Sequence, residues 1–283
     1  MSTHTGTTTG KHMSTKERPT RPRRLFRSGH AYADIQALLS DVEHKGLCLD
    51  LPAGKGVNTG GIEAAGFEPV AADLFPEAAA AKTSRCVRAD FNEPLPFENE
   101  AFAAVLCSEG IEHCPVQLQL IREFARVLKP GGTLVLTTPN VLNFRARLSY
   151  MLNGHSSFAR SPITEVTQVW GQSEDSRIYV GHVYLVSYFA LRFMLKLAGF
   201  DRISVASAKY STSAALLSPF LWLPVRLATA RLLRRVRDNH DPATYAEIMS
   251  HVMSADMLLG KKLILIARKQ SAERSAPEEQ AET

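Results

Sequence analysis

Residues 48–56 read Cys48-Leu49-Asp50-Leu51-Pro52-Ala53-Gly54-Lys55-Gly56, a short apolar run that carries one acid into a glycine turn. The run belongs to a first strand at 46–51, and a helix is expected from about Asn58. A Gly-x-Gly turn here lets a ligand approach the backbone closely, at the carboxyl edge of the sheet where doubly wound folds bind their ligands. The charge before the turn sets the sign of that ligand. A dinucleotide fold points a helix N-terminus at pyrophosphate and tolerates no anion nearby, yet Asp50 directly precedes the loop. The third glycine of the dinucleotide fingerprint is also missing, because Gly54-x-Gly56-x-x leads to Thr59. The expected ligand is cationic and free of phosphate.

Outward from this loop, short β-like runs alternate with helical ones, the pattern of a sheet covered on both faces. Strands are expected at 46–51, 69–73, 86–89, 103–108, 133–138, 202–206 and 262–267. The clearest helix is 115–128, where Leu118, Ile121, Phe124, Ala125 and Leu128 recur at three- and four-residue steps before Lys129-Pro130-Gly131-Gly132. A second covers 188–198 and ends at Gly199. The expected fold class is α/β: a doubly wound, Rossmann-like, mostly parallel seven-stranded sheet with helices on both faces and a helical insertion before the last strand. One domain over 29–269 accounts for this pattern. The tails at 1–28 and 270–283, basic and acidic respectively, hold too little apolar surface to offset the entropy of ordering and are expected to be disordered.

Composition narrows the partners. The chain has 33 Lys and Arg against 28 Asp and Glu, a net charge of +5, but residues 1–30 alone carry seven cations and one acid, Glu17. The rest is close to neutral, which gives no case for a specific nucleic-acid-binding body. Cys48, Cys86, Cys107 and Cys114 lie in or beside apolar runs and form no CxxC pair, so they read as small buried hydrophobes in a reducing, cytoplasmic compartment. No apolar stretch follows the N-terminal charges, unlike a secretory signal; the same composition suits an organelle transit peptide or a plain arm.

Two more acids close the ligand argument. Asp73 ends the second strand, where a carboxylate can accept both hydroxyls of a ribose. Asp90 ends the third, in Ala89-Asp90-Phe91-Asn92, and places a hydrogen-bond acceptor beside an aromatic ring, which suits the edge and face of adenine. Each aspartate alone could be a helix cap. Together, around a Gly-x-Gly loop, they describe a nucleoside bearing a positive group, and S-adenosyl-L-methionine is that molecule.

At this point the chain resembles the class I S-adenosylmethionine-dependent methyltransferases, particularly their small-molecule branch. The stretches that carry the resemblance are 49–56, Val70-Ala71-Ala72-Asp73, Ala89-Asp90-Phe91, the run 102–113 ending in Ser108-Glu109-Gly110-Ile111-Glu112-His113, and 126–134 around Lys129-Pro130-Gly131-Gly132. His182, Ser187 and Ala198-Gly199-Phe200 extend it, so that it covers roughly 46–208 plus the final strand. The resemblance implies that Asp50, Gly54 and Gly56 line the methionine part, that Asp73 holds the ribose, that Asp90 and Phe91 meet the adenine, and that Pro52 and Leu74 also belong to the cofactor site. It also implies Ser108 and Glu109 on the cofactor side of the fourth strand. The chain departs from the family in the loop itself. Pro52-Ala53 replaces the usual Gly-Cys or Gly-Ala, and Lys55 adds a cation that is expected to face solvent.

Methyl transfer from a sulfonium is an in-line displacement and needs no covalent nucleophile, so positioning and exclusion of water come first. An oxygen or nitrogen acceptor must still lose a proton, and His182, His113 and Glu109 are the candidates near the carboxyl edge. His182 ranks first because the segment before it, 140–181, is long, polar and rich in His, Trp and Tyr, as a substrate-side excursion should be. Each histidine could equally be a satisfied polar group or a cap. No His and acid pair has metal-ligand spacing, so no metal is expected.

The segment 211–256 stands outside the βα alternation. It carries Leu216-Leu217-Ser218-Pro219-Phe220-Leu221-Trp222-Leu223-Pro224-Val225, then Arg226, Arg231, Arg234, Arg235 and Arg237. The apolar run before Arg226 is too short for the roughly 20 residues that span a bilayer. It is expected to be a lid over the active site, an interfacial helix at an anionic membrane, or both, and it leaves a small-molecule, lipid-linked or glycan acceptor open. Two other classes stay open: a nucleotide-dependent reductase, disfavoured by Asp50 and Thr59, and a catalytically silent binding module whose altered loop holds no cofactor. Oligomeric state is not legible.

Overall fold

The structure is a computed structural model that describes residues 31–42, 44–79, 86–157, 162, 164, 169–170, 178–179, 181–239 and 241–271. The basic tail at 1–28 lies outside the described residues, as do 272–283 of the acidic tail and most of 158–180 in the excursion.

Among the described residues, seven strands form one sheet: β1 (Leu47–Asp50), β2 (Glu68–Asp73), β3 (Cys86–Arg88), β4 (Phe102–Ser108), β5 (Leu128–Pro139), β8 (Phe200–Ala206) and β9 (Lys262–Lys269). A short hairpin, β6 (Val169–Trp170) with β7 (Ile178–Tyr179), stands apart. The strand order is β3-β2-β1-β4-β5-β9-β8, parallel except for β9, which runs against both neighbours. The order reverses between β1 and β4, so their carboxyl ends open the crevice in which such sheets bind ligands.

Side chains of each strand alternate between two cores, as the period of two requires. Ala104 and Leu106 of β4 face α1 (Ala31–Ser40) and α2 (Thr59–Ala64) with Leu39 and Ile62. Val105 and Cys107 face α3 (Gln117–Val127) and α5 (Tyr188–Leu197) with Leu120, Phe124, Tyr188 and Leu191. Helix α3 stops at Val127, but the strand after it begins earlier than its apolar run. Leu128 already pairs with Phe102, and a register shift absorbs 129–132 before Thr133 pairs with Ala104. Gly131 takes φ +73° in that bulge, and a Cβ on Gly132 would stand 2.8 Å from the Lys129 carbonyl.

β9 is antiparallel because the chain between β8 and β9 returns to where it left. The Ser211 amide donates to the Leu259 carbonyl at 2.7 Å, and the Lys261 amide donates to Lys209 at 2.9 Å. Between these points lie α6 (Thr212–Leu232), α7 (Arg234–Asn239), α8 (Pro242–Val252) and α9 (Ala255–Leu259). α8 is fastened to α5: both terminal nitrogens of Arg192 donate to Glu247, at 2.9 and 2.7 Å, and the Tyr188 hydroxyl meets His251 Nδ1 at 2.7 Å.

The apolar run expected to stop at Arg226 continues as one helix to Leu232, 21 residues long, through Pro219 and Pro224. Proline at 219 lacks the amide that would bond to the Ala215 carbonyl. The Ser218 hydroxyl donates to that carbonyl instead, at 2.8 Å. One stripe of α6, with Ala214, Leu217, Leu221 and Val225, packs with Phe144 of α4 (Phe144–Asn153) and Leu258 of α9. The opposite stripe, Leu216, Phe220, Leu223 and Leu227, is exposed, with Phe220 at 76%.

Candidate functional site

The loop after β1 is tied to the end of β2 through one carboxylate. Oδ2 of Asp73 accepts the Gly54 amide at 2.8 Å and Oδ1 accepts the Phe75 amide at 2.9 Å. A carboxylate oxygen has two lone pairs, so each keeps one acceptor site for a ligand hydroxyl. Gly54 and Gly56 hold φ of +53° and +65°, which L side chains rarely adopt, and a Cβ at Gly54 would find nothing within 4 Å. The loop thus leaves open space directly over its backbone. Lys55 is exposed and Leu74 half-buried.

Asp50 has no exposed surface. Asn58, at the start of α2, leaves the helix uncapped and donates its side-chain amide to Oδ1 of Asp50 at 3.0 Å. Oδ2 of Asp50 is buried without a hydrogen-bond partner among the described residues. Burial pushes the carboxyl up to about 7, the Asn58 bond opposes that, and the charge of Asp73 adds to it. An orphaned anionic oxygen below an open loop fits a ligand that brings a donor or positive charge. These residues therefore fit S-adenosyl-L-methionine, through Asp73 for its hydroxyls and Asp50 for its charge.

The third acid is partly committed elsewhere. Oδ1 of Asp90 accepts both the backbone and side-chain amides of Asn92, each at 2.9 Å, in a local turn. Beside it the half-buried Phe91 ring closes on Gly110: a Cβ there would overlap Pro52 and stand 3.1 Å from the ring's Cζ. Pro52, Phe91 and Gly110 form one apolar wall at the end of β1 and β4.

At the carboxyl end of β4 the candidates separate. Ser108 Oγ lies 3.4 Å from Thr137 Oγ1 of β5. Glu109, held at φ +53°, accepts the Thr137 hydroxyl at 2.9 Å and pairs with Lys262 at 3.3 Å, so its carboxylate is tied to β5 and β9. His113 sits in a single 3-10 turn, Ile111–His113, and its ring bonds the Gly181 backbone. Burial holds its pKa below the ordinary value, opposed by that bond and by Glu109. His182 lies in a turn ahead of α5, rather than starting a helix, because α5 begins only after Ser187.

The fold brings His113 and His182 edge to face, ring centroids 5.0 Å apart, and adds a residue that sequence reasoning missed. Glu112 has no exposed surface; Oε2 accepts the Thr138 hydroxyl at 3.1 Å, and Oε1 has no hydrogen bond among the described residues and lies 4.0 Å from His182 Nε2. Burial, then the charge of Glu109, pushes Glu112 up to about 7. The available signal was an acid set between apolar Ile111 and Cys114. The Tyr184 amide donates to the Glu112 carbonyl at 3.0 Å, and Gln117 bonds both Ile111 and Tyr184, which pins the 181–184 loop over the cluster. One donor atom from each of Glu112, His113 and His182 lies within 4.8 Å of the others. Two imidazoles and a carboxylate can hold and move a proton, and are also a donor set that a divalent transition metal can use.

A family model described as a methyltransferase domain matches residues 21–205, more than half of the chain. A ubiquinone biosynthesis O-methyltransferase of Xanthomonas campestris is 38% identical over 101 residues, 32% of this chain and 42% of that protein. A demethylmenaquinone methyltransferase of Mycobacterium tuberculosis is 34% identical over 119 residues, 40% of this chain and 51% of that protein. The chain thus spans about half, or less, of the curated relatives it matches. A SAM-dependent methyltransferase from Archaeoglobus fulgidus shares the fold, with TM-score 0.52 and 13% identity over 84% of this chain and 92% of that one. With its seven-stranded sheet, switch-point crevice and matching domain, the chain belongs to the methyltransferase-domain family, on the class I S-adenosylmethionine-dependent fold.

Proposed function

We propose that the chain is an S-adenosylmethionine-dependent methyltransferase that acts on a small, apolar or lipid-linked acceptor at the cytoplasmic face of a membrane. The observation that carries the cofactor assignment is the Asp73 carboxylate, which anchors the Gly54 loop and keeps an acceptor site on each oxygen. When bound, the cofactor supplies an electrophilic methyl group on a sulfonium. Asp73 holds the ribose hydroxyls, Asp50 faces the positive end, and Phe91 with Pro52 excludes water from the base. His182 takes the proton of an oxygen or nitrogen acceptor, and the nearby carboxylate of Glu112 stabilises the imidazolium that results.

Two observations support the acceptor class. Two relatives are named for ubiquinone biosynthesis and for demethylmenaquinone. The exposed Leu216, Phe220, Leu223 and Leu227 stripe of α6 lies beside Arg226 and Arg231, and the arginines continue at 234, 235 and 237. No acid occurs from 212 to 237, so a second copy of this helix would set arginines against arginines, whereas anionic headgroups would neutralise them. By length and composition α6 could also cross a bilayer, but its inner stripe packs on α4 and α9, which favours lying in the interface.

Isothermal titration with S-adenosylhomocysteine tests the cofactor assignment. Asp73→Ala should weaken binding by at least about tenfold, the loss of a charge-assisted hydrogen bond or more. Unaltered affinity would remove Asp73 from the site. A folded wild-type protein that binds no cofactor would instead favour the catalytically silent binding module.

A further inference from the structure

An open cleft of about 640 Å3 lies between α4 and the start of α5. Its walls include Val141 and Leu142, just past the carboxyl end of β5, and Leu185 and Val186, just past His182. It therefore opens on the same end of the sheet as the Glu112 and His182 cluster. The lining is apolar apart from Ser187, the Tyr150 hydroxyl and one charged side chain, Arg147.

Arg147 differs from Arg126 and Arg192, two other arginines partly withdrawn from solvent. Arg126 donates to both oxygens of Glu123 and Arg192 to both oxygens of Glu247. Arg147 has no carboxylate within ion-pair distance among the described residues. Its Nε donates to the Leu142 carbonyl at 2.7 Å, which fixes the plane of the guanidinium while the terminal nitrogens stay available. Burial lowers its pKa, with no opposing charge to restore it. A cation desolvated without a counter-ion is costly to the fold, and an anion in the cleft would offset that cost.

We propose that this cleft seats the acceptor and that Arg147 receives a carboxylate or phosphate carried on an otherwise apolar molecule. The assignment rests on the methyltransferase reading above for the word acceptor, but not for the ligand chemistry. Along the cleft rim, Tyr150 leads to exposed Met151 and Leu152 at the end of α4, the helix on which α6 packs. Met151 and Leu152 thus extend the apolar rim of the cleft, where the apolar part of such a ligand can lie.

The test is isothermal titration of the full chain with dodecyl phosphate below its micellar range, with dodecyltrimethylammonium and inorganic phosphate as comparisons. Dodecyl phosphate should bind, and Arg147→Met should weaken it by at least about tenfold, as loss of a hydrogen bond to a charged group implies. Arg147→Lys should restore part of the loss, because the charge remains and the planar fork does not. Equal affinity for dodecyltrimethylammonium, equal affinity for inorganic phosphate, or an Arg147→Met affinity within about twofold of wild type would each overturn the proposal. So would loss of dodecyl phosphate binding in Phe220→Ser with Leu223→Ser, which would make the contact one of surface association. S-adenosylhomocysteine affinity, measured on the same samples, separates this result from failure of the cofactor assignment.

Discussion

Oε1 of Glu112 lies 4.0 Å from Nε2 of His182, across 70 positions of sequence, and no hydrogen bond among the described residues satisfies that oxygen. A buried carboxylate beside an imidazole holds the ring in orientation and stabilises its protonated form. The pair gives His182 a partner that neither residue's neighbours in sequence reveal.

His182→Ala should lower kcat by about 100-fold or more, the usual contribution of a positioned general base, with S-adenosylhomocysteine affinity unchanged. Glu112→Gln should lower kcat less and leave the acceptor KM near wild type, because Glu112 acts through His182. Unchanged turnover in His182→Ala would remove the base assignment. Turnover that falls in EDTA and returns with Mn2+ or Zn2+ would replace proton transfer by a metal held on Glu112, His113 and His182.

Asp50 links pH to stability. Its folded pKa of about 7 is above the ordinary carboxylate value of 3.8, so the folded chain binds more protons between those values. That stabilising contribution is complete below the unfolded pKa and is lost as pH rises through about 7. Asp50→Asn should therefore raise Tm at pH 8 by about 2–4 °C for each kcal/mol of charge burial relieved, and leave Tm at pH 4 nearly unchanged. A variant equally shifted at both pH values would mean that burial of the charge is not what moves the pKa.

Membrane contact through α6 should show in co-sedimentation of the full chain with vesicles. Mixed phosphatidylglycerol and phosphatidylcholine vesicles should retain the protein at low salt, and pure phosphatidylcholine should retain much less. Salt near 1 M, where the screening length falls to about 3 Å, should weaken the arginine part. Phe220→Ser with Leu223→Ser should lose about 3–6 kcal/mol of apolar burial, enough to abolish retention. Equal binding by that double variant would place the contact elsewhere.

The fold was legible because its signals are local. Asp50 and Asp73 end β1 and β2, and the Gly54-x-Gly56 turn and the 3.6-residue period of α3 are in place, each within about ten residues; Asp90, expected to end the third strand, lies two residues past the end of β3. The start of β5 at Leu128 was missed because a bulge, not a turn, absorbs Pro130-Gly131-Gly132. The apolar run was read only as far as Arg226, whereas α6 continues through that arginine to Leu232. In the site, Asp73 could be read from its place in β2, whereas Glu112 and Arg147 could not. Their significance comes from what does not reach them, an unpartnered oxygen and an absent carboxylate, and that is a property of packing alone.

One carboxylate, that of Asp73, is expected to serve both the Gly54 loop and the ribose. A crystal structure of the full chain with S-adenosylhomocysteine measures this directly, as the distances from the two ribose hydroxyls to Oδ1 and Oδ2 of Asp73. We expect both at about 2.6–3.0 Å, with the Gly54 amide still bonded to Oδ2. A ribose bound away from Asp73, or a diphosphate seated on Gly54, would contradict it.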